Sequence, residues 1–117
     1  MIEGTCHCGA VRYRIESAPE QVTECNCSSC RRTGALMAYY KPADVEIDGE
    51  TDVYMWGDRS LRLHRCKTCG NVTHWSPVDS TVERMGLNAR LMPPEVLKAA
   101  RVRKFDGADT WTFFDEP

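Results

Sequence analysis

Seven cysteines occur among 117 residues, in three groups: Cys6-x-Cys8, Cys25-x-Cys27-x-x-Cys30 and Cys66-x-x-Cys69. Thiolates spaced this closely suit metal binding, because sulfurs from one turn or strand end can reach the same ion at about 2.3 Å. An odd count cannot be satisfied by disulfides alone, and the cysteine content lies below the ~8–10% of small secreted disulfide scaffolds. Cys66-Lys67-Thr68-Cys69-Gly70 has the form of a zinc knuckle, in which a tight turn joins two thiolates and the glycine takes positive φ. It needs two more ligands, and on spacing alone either other group can supply them.

In C-x-C on an extended backbone both side chains face the same way, about 6.6 Å apart, with the middle residue (His7 or Asn26) turned away. Cys25, Cys27 and Cys30 can converge from a strand end and the turn after it, making a three-sulfur site by themselves. The economical partition places Cys6, Cys8, Cys66 and Cys69 around a structural zinc and the triplet around a second ion, with one coordination position open to water or an incoming thiolate. Other readings exist for the same residues. The triplet can be packed or redox-active thiols without metal, although Cys27-Ser28-Ser29-Cys30 lacks the βαβ setting of a dithiol redox motif. A histidine can fill a fourth position, His64 ahead of His7 and His74, because on a regular strand His64 shares a face with Cys66. All-sulfur ligation prefers zinc without excluding iron.

The elements that must position these groups are mostly strands. Ala10 to Ile15 alternates, with Val11, Tyr13 and Ile15 on one face and arginines on the other. Gln21 to Cys27 reads as a strand entering the triplet. Ser28 to Gly34 reads as a short helical turn capped by a serine and ended by glycine. Leu36 to Tyr40 is a strand, and Val45 to Trp56 a hairpin about Asp48-Gly49. Leu61 to His64, Val72 to Trp75 and Val82 to Leu87 are further strands. Pro93 to Ala100 is the best helix, and Val102 to Phe114 a hairpin or two edge strands. The expectation is one mainly β domain over residues 1–117, with short helices and cysteines at strand mouths.

The formal charge of −2 becomes −5 when seven thiolates and two divalent ions are counted, which disfavours a general nucleic-acid surface. No apolar run approaches the ~20 residues that span a bilayer, and Met1 to Thr5 lacks the basic start of a secretory signal, so a reducing cytoplasm is expected. Arg31 and Arg32 beside Cys30, and Arg65 and Lys67 beside Cys66, either offset thiolate charge or recognise a substrate anion.

The ordered set Cys6-x-Cys8-Gly9-Ala10-Val11, Cys25-x-Cys27-x-x-Cys30-Arg31-Arg32-Thr33-Gly34 and Cys66-x-x-Cys69-Gly70 resembles the glutathione-dependent formaldehyde-activating enzyme family, which includes centromere protein V. The similarity runs from about Gly4 to Leu91. It implies a tent-like arrangement of antiparallel sheets around a structural zinc at the first and third groups, a catalytic zinc at the triplet, and carbon–sulfur lyase chemistry: reversible addition of a small thiol such as glutathione to formaldehyde. On that reading Cys25, Cys27 and Cys30 are catalytic. Arg31 or Arg32 holds a substrate carboxylate, Trp75 walls the pocket, and Glu24 and His64 are the candidate general acids. The alternative is a non-catalytic zinc module for protein or nucleic acid, favoured by the knuckle and the Arg101-Val102-Arg103-Lys104 run, opposed by the acidic total and the open three-sulfur site.

Overall fold

A computed structural model describes residues 1–115; the one-domain expectation over 1–117 extends across Glu116 and Pro117, which lie outside the described residues. Among the described residues, ten strands form two sheets. The smaller joins β1 (Ile2–Thr5), β2 (Arg12–Ile15) and β5 (Glu46–Asp48) in the order β1-β2-β5. The larger comprises β3 (Gln21–Cys25), β4 (Met37–Tyr40), β6 (Thr51–Tyr54), β7 (Leu61–Cys66), β8 (Val72–Pro77), β9 (Met85–Asn88) and β10 (Arg101–Phe105), in the order β10-β3-β4-β9-β8-β7-β6. Two short helices, α1 (Cys30–Thr33) and α2 (Pro94–Ala99), complete the mainly β architecture.

The alternation in β2 does what its pattern requires: Val11, Tyr13 and Ile15 are buried, while Arg12 and Arg14 face outward. Arg14 reaches Glu3, Glu46 and Asp48 on the flanking strands, exposed pairs that set register more than stability. Tyr13 crosses the space between the sheets. Its ring lies where a side chain on Gly4 would stand, and its hydroxyl donates to the Asn88 carbonyl at 2.8 Å. β9 is buried at all four positions, as a central strand covered on both faces must be. Leu87, Met85, Ile15 and Val22 form the main core with Tyr13, and Val96 and Leu97 of α2 pack against it.

Three local readings are corrected. Val45 to Trp56 is not a hairpin: β5 pairs with β2 and β6 pairs with β7, in different sheets. The Asp48-Gly49 signal specifies a reversal, whereas burial chooses the partner. Ile47 lies opposite Tyr13 and packs on the core, while Val53 and Tyr54 stay exposed on the outer strand. Val102 to Phe114 supplies only β10, with a single bridge from Phe105 to Phe113. β10 runs parallel to β3, the exception in otherwise antiparallel sheets, because its chain returns only after most of the molecule has been crossed. The strand expected from Val82 starts at Met85, since the Asp79 carboxylate accepts from the Thr81 N–H at 2.9 Å and holds a turn there.

His64 and His74 face each other across β7 and β8, their rings stacked with centroids 4.0 Å apart. Burial, with a smaller contribution from His64, lowers the His74 pKa to about 3. An unfolded histidine takes a proton near pH 6.5 that buried His74 refuses until about pH 3. This contribution to stability is therefore complete above pH 6.5 and is lost as pH falls towards 3, by at most about 1.4 kcal/mol per pH unit. Urea midpoints measured from pH 7.5 to 4 at fixed zinc should show that slope. His74→Phe, with no proton to gain, should be flatter; an equally steep variant would place the linkage elsewhere.

Candidate metal centres and the cavity beside them

The four sulfurs of Cys6, Cys8, Cys66 and Cys69 lie within 4.8 Å of one another. Cys8 Sγ is 3.6 Å from Cys6 Sγ and from Cys66 Sγ. A disulfide needs ~2.05 Å, whereas a tetrahedron with ~2.3 Å bonds separates its corners by about 3.8 Å. The donor set and its spacing thus fit a zinc ion. The local geometry differs from an extended C-x-C at the first pair, where Cys6 to Gly9 form a turn closed by Gly9 N–H to Cys6 O at 3.0 Å. The knuckle is closed alike by Gly70 N–H to Cys66 O at 3.0 Å, and both glycines adopt left-handed φ, +82° and +78°. Backbone N–H groups point at the sulfurs: Val11 donates to Cys6 at 3.3 Å and Thr68 to Cys66 at 3.4 Å. Donors from Cys69 and Thr68 lower the Cys66 pKa, and those of Asn71 and Cys8 bring Cys69 down to about 6. Cys6 and Cys66 are buried with Val11, so the cluster joins the two sheets from inside.

Cys25 ends β3, Cys27 lies just beyond it, and Cys30 begins α1; their sulfurs also lie within 4.8 Å of one another. No serine hydroxyl caps α1. Cys27 Sγ does so, accepting from the Cys30 N–H at 3.3 Å, and Gly34 ends the turn in the left-handed region as its type suggests. Burial opposes a thiolate at Cys27, but the N–H groups of Cys30 and Ser29 and the neighbouring thiols outweigh it, and its pKa falls. Burial pushes Cys25 and Cys30 up, so acid should oppose metal loading here.

Asn26 turns away from the sulfurs and ties down the segment after β10, donating to Asp106 and accepting from Ala108 N–H, both at 3.0 Å. This presses Gly107 against the site: a β-carbon there would stand 2.5 Å from Cys25 Sγ. Gly107→Ala is therefore expected to weaken metal retention at the triplet by at least ~10-fold while the four-sulfur site keeps its ion. Competition with a chromogenic chelator, resolving two ions, measures this; unchanged retention of both would show that Cys25 is not held by that contact.

The three sulfurs open onto a cavity of about 950 Å³ whose aromatic wall is Tyr39, Trp56, Trp75, Phe105, Trp111 and Phe113. Trp75 packs against Gly86 of β9, where any side chain would meet its indole. The charged side chain in this lining is Arg84, its guanidinium 3.8 Å from the Tyr39 ring centroid. Arg32 lies in an adjoining groove of about 450 Å³ with Arg65, and donates to the Ser28 carbonyl at 2.8 Å. Arg31 and Glu24 line a third hollow, with Cys25, Cys30, Arg90 and Lys104. His64 is held by Thr51 and Ser76 at 2.8 and 2.7 Å, and a register shift follows it, so it joins neither sulfur group; His74 bonds Thr73, and His7 is exposed. Arg84 and Tyr39 carry no local motif, and sequence reasoning missed both. No helix among the described residues is long and apolar enough to cross a membrane.

Residues 1–99 match the family model described as glutathione-dependent formaldehyde-activating enzyme. A putative glutathione-dependent formaldehyde-activating enzyme of Halomonas elongata is 40% identical over 53 residues, which are 44% of this chain and 31% of that protein. The matched region thus spans about a third of that relative's length. The crystal structure of a Rhodobacter sphaeroides protein is similar with a TM-score of 0.69 and 31% identity, covering 86% of this chain and 98% of the other.

Proposed function

Because the chain belongs to the glutathione-dependent formaldehyde-activating enzyme family, we propose that it is a zinc-dependent carbon–sulfur lyase acting on the adduct of a small thiol, of the glutathione and formaldehyde type. The observation that carries this reading is a group of three sulfurs, joined by no fourth Cys, His, Asp or Glu among the described residues, facing a large cavity. Zinc bound there supplies a free coordination position and the Lewis acidity to deprotonate a thiol at neutral pH.

In the synthetic direction the thiol sulfur bonds to the aldehyde carbon, the carbonyl π pair moves to oxygen, and that oxygen takes up the proton the thiol released. The lyase direction reverses each change. Arg32 and Arg65 give the adjoining groove the charge to hold the thiol's carboxylates. The aromatic wall gives the reacting atoms an apolar flank. Tyr39, kept protonated because burial raises its pKa, takes the proton-donor role considered for Glu24 and His64, neither of which lines this cavity.

The alternative of a nucleic-acid module is not favoured: in the basic run, Arg101 and Arg103 both pair with Asp115. The test is exchange NMR with ¹³C-formaldehyde and glutathione. The zinc-loaded protein should speed interconversion of free and S-hydroxymethyl forms above the spontaneous rate. Spontaneous rates with glutathione, cysteine and 2-mercaptoethanol alike would defeat the reading.

A further inference from the structure

The cavity over the triplet is far larger than formaldehyde needs. Two heavy atoms occupy on the order of 50 Å³, against about 950 Å³ here. Pockets of this size and lining normally enclose a substantial apolar ligand. The wall is also the wrong chemistry for the thiol partner if that partner is glutathione, which carries two carboxylates and an ammonium. Those groups are matched instead by the adjoining groove with Arg32 and Arg65, which shares Ser28, Ser29, Thr33, Trp56 and Leu63 with the main cavity. The two spaces therefore meet at Ser28 and Ser29, the residues between Cys27 and Cys30, and differ in character: one cationic, one aromatic.

Arg84 marks the aromatic space further. It stacks on Tyr39, and no carboxylate among the described residues pairs with it. A guanidinium fixed on an aromatic face beside an apolar cavity is placed to receive one anionic group of a ligand.

We infer that the preferred carbon partner of this site is a bulky aromatic aldehyde bearing a carboxylate, with formaldehyde a smaller and poorer substrate of the same chemistry: the ring fills the cavity walled by Trp56, Trp75 and Trp111, and the carboxylate meets Arg84. This rests on the lyase reading above and names its substrate class. The bonds made and broken are unchanged: sulfur to carbonyl carbon, with the thiol proton delivered to the carbonyl oxygen.

Stable thioethers test it without turnover. S-methylglutathione stands for the formaldehyde adduct, S-benzylglutathione for an uncharged aromatic one, and S-(4-carboxybenzyl)glutathione for the proposed class. All three tryptophans of the chain line the cavity, so intrinsic fluorescence of the zinc-loaded protein reports its filling. The carboxybenzyl compound should bind at least ~30-fold more tightly than the methyl compound. Arg84→Met should weaken it ~10-fold and leave the benzyl compound within 2-fold. Methyl and carboxybenzyl compounds of equal affinity, or an Arg84→Met loss shared by both aromatic compounds, would overturn the inference. A separate measurement tests the underlying reading: in protein loaded with cobalt(II), glutathione should alter the sulfur-to-metal charge-transfer band. An unaltered band sinks the lyase reading, whereas an altered band with no preference for the aromatic thioethers sinks only the aldehyde assignment.

Discussion

Cys66→Ser is expected to leave the chain unfolded under conditions where Cys30→Ser stays folded and carries one ion fewer. The first substitution removes a buried ligand from the site that joins the Cys6–Gly9 turn, between β1 and β2, to the ends of β7 and β8. A structural zinc site contributes about 10–16 kcal/mol of apparent binding free energy, which equals or exceeds the ~5–15 kcal/mol net stability of an ordinary domain. Two strands of the small sheet are only four residues long and the third is three, so little else holds that edge of the molecule. Cys30 begins a four-residue helix with no buried residues, and its loss should cost about 1–2 kcal/mol. Far-UV circular dichroism with metal analysis decides the matter. Wild type should hold two zinc ions. A folded Cys66→Ser, or an unfolded Cys30→Ser, would reverse the assignment of structural and open sites.

Activity should separate the same residues by larger factors. Cys27→Ser and Cys30→Ser are each expected to return thiol-dependent formaldehyde exchange to the spontaneous rate, a loss of about 10³-fold or more in kcat/KM. Each removes one of three sulfurs on which the open site depends, and Cys27 Sγ also takes up the Cys30 N–H at the start of α1. Arg32→Met should raise KM for glutathione several-fold with kcat little changed, since Arg32 lies in the groove that adjoins the sulfur-lined cavity through Ser28 and Ser29. Full activity in Cys30→Ser protein that binds a single zinc would move the chemistry away from the triplet.

The three cysteine groups, and the triplet as a site sufficient in itself, were legible from spacing because that geometry is local, whereas the joining of Cys8 to Cys66, 58 residues apart, is tertiary. A knuckle turn, or a strand end and its following turn, fixes how far two or three sulfurs can be apart whatever the rest of the chain does. The buried face of β2 and the left-handed Gly34 and Gly70 were legible for the same reason: period-two alternation and turn stereochemistry act over a few residues. The turn at Cys6–Gly9 was not, since C-x-C suits either an extended segment or a turn, and the bond from Gly9 to Cys6 decides between them.

Everything assembled from distant segments came from the tertiary structure. β5 and β6 go to different sheets because Ile47 has the Tyr13 core to cover, and β10 pairs in parallel with β3 across roughly 80 residues of chain. Arg84, Tyr39, Trp56, Trp75 and Trp111 share one cavity although they sit on separate stretches of sequence. Each cysteine group is set by short-range covalent geometry, so the chain alone marked the sulfurs that could hold metal. The cavity over the triplet is shaped by long-range burial, which no local spacing records.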